Sequence, residues 1–146
     1  MSHVRTRLRE AVRTAIIDGV TGITAQTVYL GRNYPIDLST GPAIAVHAFA
    51  AQSTPASQDD LDRTIELGVT IMISGGDDFE DRLDAMAAHV EAALETSADV
   101  RAVSHDIWLA SEEFDLEADA DTRVARLHMN FLARVLTPRG NPQTLS

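Results

Sequence analysis

Residues 64–94 read TIELGVTIMISGGDDFEDRLDAMAAHVEAAL: a strand, a glycine turn and a helix in succession. Ile65, Leu67, Val69, Ile71 and Ile73 alternate with Glu66, Gly68, Thr70 and Met72, the period-2 pattern of a strand with one apolar face. Ser74, Gly75 and Gly76 then break the strand, because glycine adopts backbone angles that other residues avoid. Asp77 or Asp78 stands where a helix cap is needed, and Glu80 and Asp81 fall in the first turn, where the helix dipole favours negative charge. Phe79, Leu83, Met86, Ala87, Val90, Ala93 and Leu94 recur at helical spacing as one apolar stripe. A one-faced strand and a one-striped helix adjacent in sequence bury those surfaces together. The pattern predicts an architecture and, by itself, no chemistry.

Upstream, the spacing of Val4, Leu8, Ala11, Val12, Ala15 and Ile16 predicts a helix over 4–18, ended by Gly19. Arg5, Arg9 and Arg13 fall one turn apart on its outer face. They read either as a solvated surface or as a cationic strip for an acidic partner, which in so acidic a chain can be a second copy. Short strands are expected over 27–30 and 43–50, the latter apolar on both faces and so central in a sheet or set in an interface. Between Ala51 and Asp60 the composition is that of a loop, with Gln52, Ser53, Thr54, Pro55, Gln58 and Asp59. It reads as the tip of a long hairpin, either floppy or a projecting arm that orders on binding. Residues 107–117 and 122–136 form a second hairpin, with Leu127, Met129, Phe131, Ala133 and Val135 on one side. The other side carries Arg126, His128 and Arg134, a mixture that suits a subunit interface as well as water. The expected fold is α+β: a mainly antiparallel sheet of about five strands, two helices on one face and the other face uncovered. One domain spans 1–137, and the polar residues 138–146 are expected as a mobile tail.

The length of 146 residues suits one domain with a real core. No cysteine is present, which removes disulfides, thiolate metal sites and cysteine nucleophiles. No signal peptide is visible, and no run approaches the roughly 20 apolar residues of a membrane span. A formal charge of -10 argues against gripping nucleic acid. All 12 basic residues are arginine, which fits forked contacts to carboxylates and equally a GC-rich genome.

Catalytic constellations are weak. His3, His47, His89, His105 and His128 form no H-E-x-x-H arrangement, and no G-x-S-x-G elbow is present. An anion site at Gly75 and Gly76 is opposed by Asp77, Asp78, Glu80 and Asp81. The carboxylates Asp115, Glu117, Asp119 and Asp121 alternate as in a calcium loop, but Ala120 stands where glycine is needed and Arg126 where the closing glutamate is needed. No cofactor, metal or catalytic residue is therefore expected. A metal-dependent hydrolase built on these carboxylates is the residual enzymatic reading.

From Ser2 to about Thr137 the chain resembles the tail terminators of long-tailed phages, the family of the lambda minor tail protein U, with relatives in phage-derived gene transfer agents. The resemblance lies in the opening amphipathic helix, in Val28, Tyr29, Leu30, Gly31 and Arg32 followed by Pro35, and in the apolar run from Gly41 and Pro42 to Val46. A polar loop, a strand over 64–74, an alanine- and acid-rich helix over 79–94 and a closing hairpin complete it. It implies a structural virion protein made in the host bacterial cytoplasm. Such a protein forms a hexameric ring on the head-proximal end of the tail tube, stops tube elongation and offers a docking surface to the head connector or stopper. DNA passes through the ring lumen. The implied partners are other copies of itself, the tube protein and the connector. Ring or tube contacts are expected at Arg5, Arg9 and Arg13, at Gln52 to Pro55 with Gln58 and Asp59, at Asp77, Asp78 and Asp81, and at Arg126, His128 and Arg134. Another neck or head–tail joining protein is the alternative within the same style of binding.

Overall fold

The alternating stretch at residues 64–74 belongs to the central strand of the sheet. A computed structural model describes residues 2–31, 38, 41–74, 76–118 and 123–146. Its elements are α1 (Val4–Gly19), β1 (Val28–Leu30), β2 (Ala43–Pro55), β3 (Asp60–Ser74), α2 (Phe79–Thr96), α3 (Ala98–Val103), β4 (Asp106–Ala118) and β5 (Arg123–Pro138). The sheet runs β1-β2-β3-β5-β4. β1 is parallel to β2 and every other pairing is antiparallel. This is the expected α+β class, with the short α3 added to the two long helices.

The core follows from the two periodicities. Ile65, Leu67, Val69, Ile71 and Ile73 of β3 and Leu127, Met129, Phe131, Ala133 and Val135 of β5 are buried on one face of the sheet. Val4, Leu8, Val12 and Ile16 of α1 and Leu83, Ala87, Val90 and Leu94 of α2 belong to the same cluster. Burying each large aliphatic side chain contributes about 1.5–3 kcal/mol. Ile107 and Leu109 at the start of β4 join the core, whereas Phe114 and Leu116, further along its helix side, remain 53% and 48% exposed.

Several boundaries differ from the sequence expectation, each for a physical reason. Gly19 lies inside α1, and Val20 is the C-cap. A Cβ at Gly19 would come within 2.7 Å of the Ala93 Cβ. The glycine therefore serves the close approach of α1 and α2 and does not end the helix through a left-handed cap. Asp78 is the N-cap residue of α2 but makes no side-chain capping bond. The helix α3 was not anticipated; the Ser97 hydroxyl caps it by accepting from the Val100 N–H at 3.2 Å. The stretch 51–60 is mostly paired strand: Gln52 to Pro55 match Thr64 to Leu61, and only Ala56 to Asp59 turn. Its loop-like composition reflects the exposure of residues 51–59, since only the first turn of α1 approaches this end of the hairpin.

The C-terminal residues, expected as a mobile tail, are tied to the body. The Pro142 carbonyl accepts from the Val4 N–H at 2.8 Å, satisfying a donor that a helix start leaves open. Arg7 donates to the Gln143 carbonyl, the Ser146 N–H donates to the Leu136 carbonyl, and Leu145 packs against the core. Polar composition concealed these main-chain bonds, which need no particular side chain.

Two outcomes are expected. Gly19→Ala should cost about 1–3 kcal/mol through overpacking, although helix propensity alone predicts a gain; urea unfolding reads the sign, and Ala93→Gly should restore part of the loss. Deleting residues 139–146 should cost about 1–3 kcal/mol and accelerate amide exchange at Val4.

Candidate functional site

The face of the sheet opposite the helices is polar at its centre and aromatic at its sides. Pairing register places Gly68 between His47 and Asn130, and Thr70 between Ala45 and His128. The Thr70 hydroxyl and the His128 Nδ1 are 3.0 Å apart. Asn130 donates to the Ser111 hydroxyl at 3.0 Å. The His47 ring lies over Gly68, where a Cβ would stand 2.6 Å from its Cε1, so glycine makes room for the imidazole. A bulge between Ala48 and Ala50 leaves Phe49 outside the ladder, 51% exposed and with its ring 5.6 Å from that of His47. Trp108, opposite Leu132, is 38% exposed. His47, Phe49, Gly68, Thr70, Glu113, His128 and Asn130 line a shallow depression of about 620 Å³.

Among the described residues no carboxylate hydrogen-bonds the His128 imidazole, so the Thr70–His128 pair lacks the third group that orients a catalytic base. No described group of three or more acidic or histidine side chains could hold a metal ion. The suggested calcium loop falls largely outside the described residues, at Asp119 and Asp121.

The residues expected at an interface fall in four separate places. Arg126, His128 and Arg134 share the open face. Arg134 grips Asp62 through a fork, with Nε at 3.1 and 3.0 Å from the two carboxylate oxygens and Nη2 at 2.9 Å. Arg126 is within 4.0 Å of Asp115. Gln52 to Pro55, Gln58 and Asp59 are exposed at the tip of the β2–β3 hairpin. Asp77, Asp78 and Asp81 are exposed at the other end of β3, where α2 begins. By the rise of an extended strand, the two ends of β3 are roughly 46 Å apart.

The arginines of α1 are not three equivalent cations. Arg9 donates to the Thr6 hydroxyl at 3.3 Å, and Arg13 donates to the Ala25 carbonyl at 2.7 Å, tying down the loop after the helix. Arg5 instead joins His3, Ser53 and Arg63 around a second depression of about 210 Å³. Arg63 was missed in the sequence, although a signal was there: it continues the apolar alternation of Ile65 and Leu67 backwards, which places a guanidinium on the helix face. Phe49, Trp108 and Glu113 were missed because face and bulge are settled only by register.

Burial, then the charges of Arg5 and Arg63, lower the His3 pKa below that of an ordinary imidazole. The neutral ring is also the form that accepts the Arg5 N–H at Nδ1, 3.1 Å away. Because the folded value is lowered, the unfolded chain takes up this proton first. Stability from His3 is complete above the ordinary imidazole value of about 6.5 and declines as pH falls through it. Urea unfolding between pH 8 and 5 should show this loss, and His3→Asn, which keeps an N-cap acceptor, should remove that part of it.

A model of the family described as phage minor tail protein U matches residues 4–132. No curated protein matches the chain. A chain in the solved structure described as "Virion of native gene transfer agent (GTA) particle" is similar at 19% identity, with a TM-score of 0.48 and 92% of each chain covered.

Proposed function

Since the chain belongs to the phage minor tail protein U family, and is thereby a structural protein of the phage tail and the virion, we propose that it terminates the tail. In this reading, copies of the chain close into a ring, six-membered in this class of protein, on the head-proximal end of the tail tube. The ring stops further addition of tube protein and gives the head connector its docking surface. The role is structural and not catalytic. The family match over most of the chain carries the proposal.

Physical features support it. The open sheet face offers Phe49, Trp108 and Arg126, side-chain types that are enriched in protein interfaces. The hairpin tip, with Gln52 to Pro55, Gln58 and Asp59, extends past the helices and suits contact with the tube or a neighbouring copy. The outer edge of β2 beyond Val46 and the outer edge of β4 have no strand partner among the described residues, and such edges readily accept another chain. A ring needs two different patches that meet in heterologous contact, and Asp77, Asp78 and Asp81 lie far from Arg5 on the chain's surface. With a net charge of -10, a ring of this protein lets DNA through its lumen without holding it.

The test is elongation of purified tail tubes in the presence of the chain. A terminator arrests growth and leaves tubes of fixed length with one capped end. A head–tail joining protein of another type binds finished tails while tubes continue to lengthen, and that outcome would replace the present reading.

A further inference from the structure

We infer that the depression formed by His3, Arg5, Ser53 and Arg63 is a socket for a carboxylate from the acidic turn 77–81 of a second copy of this chain. The inference rests on the ring reading and supplies its charged contact. It shifts that contact from a strip along α1 to a pocket between the start of α1 and the β2–β3 hairpin.

The chemistry of the socket points to an anion. Its lining residues are Arg5, Arg63, Ser53 and His3 beside Ala51 and Ile65, so every polar side chain there can donate a hydrogen bond. The His3 Nδ1 accepts the Arg5 main-chain N–H at 3.1 Å, so the ring's proton resides on Nε2 and that nitrogen is a donor. Arg63 donates from Nε to the hydroxyl of the fully buried Thr137 at 2.8 Å, which holds its guanidinium in place. Neither Arg5 nor Arg63 has a carboxylate within ion-pair distance among the described residues. Two arginines side by side without a counter-charge are unusual in a chain with 22 acidic residues and a net charge of -10. The lowered His3 pKa, caused in part by Arg5 and Arg63, reports the same positive potential. The volume, about 210 Å³, admits a side-chain carboxylate. Arginine favours this ligand because its planar fork matches the two oxygens.

Asp77, Asp78, Glu80 and Asp81 put four carboxylates into five residues, and among the described residues their one ion pair is the loose contact of Asp78 with Arg82 at 3.9 Å. Three acids elsewhere are engaged, Asp62 with Arg134, Asp115 with Arg126, and Asp60 with Ser57 and Ser146, and the turn is the densest run of carboxylates in the described chain. Arg63 and the end of β3 at Ser74 are eleven residues apart on one strand, roughly 36 Å by the strand rise. The socket and the acidic turn therefore meet between copies and not within one. A patch that meets a different patch on the next copy is the relation that closes a ring.

Sedimentation equilibrium of the full chain over a concentration series, repeated with tail tubes present, tests the pairing. Arg5→Glu preserves the fold, since an acidic residue in the first turn of α1 suits the helix dipole. This change and Asp77→Arg/Asp81→Arg should each weaken association by about tenfold or more, and mixing the two variants should restore it, because one supplies reversed sockets and the other reversed turns. Weakening without rescue would assign the socket another occupant and overturn the pairing. Association unchanged by Arg5→Glu would remove the socket from the interface while leaving the ring intact. A wild-type chain that stays monomeric both alone and on tubes would contradict the ring, and the pairing would fall with it.

Discussion

Ile65, Leu67, Val69, Ile71 and Ile73 all point to one side of β3, and the rest of the molecule depends on covering them. α1 and α2 do so with stripes of their own, and Gly19 lets the two helices come close enough at Ala93 to share the surface. The cover is one-sided. The two long helices lie on one face of the five-stranded sheet and leave the opposite face without a helix among the described residues. The small cluster of Ala43, Ala45 and Met72 is the nearest that face comes to a core of its own. The surfaces left for assembly are thus a consequence of how the core is built.

The sequence was most legible where periodicity and burial coincide. β3, α2, β5 and the inner stripe of α1 all present a single apolar face, and all four are found where the alternation or helical spacing puts them. Legibility failed where burial stops. Gln52 to Pro55 and Asp60 to Arg63 are exposed or half-exposed strand, held by ladder hydrogen bonds that leave no hydrophobic trace. The terminal residues are held by carbonyls of Pro142 and Gln143, which composition cannot reveal. Strand order was also unreadable, since β3 and β5 are neighbours across an intervening α2, α3 and β4.

The candidate site was legible in part. Alternation puts Glu66, Thr70, Met72, Arg126, His128 and Arg134 on one face, as the register has them, but Thr70 and Met72 are buried there and not open. The arginines of α1 were read as equivalent by spacing, but spacing says nothing of what each guanidinium can reach. Arg13 reaches a loop carbonyl, Arg9 reaches back to Thr6, and Arg5 reaches toward a residue from a different element. A net charge of -10 likewise describes the whole chain and conceals a local region of opposite sign.

In the proposed ring or on the tube, assembly covers the sheet face that the helices leave open. Trp108 is the single tryptophan of the chain and lies on that face, opposite Leu132, so its fluorescence, after subtraction of the signal of tubes alone, reports on this surface. The decisive measurement is acrylamide quenching of Trp108 in the free chain and in the chain bound to tail tubes, at matched concentration. The account predicts a clear fall in quenching and a shifted emission maximum on binding. Equal quenching in both states, with binding confirmed by co-sedimentation, would contradict it.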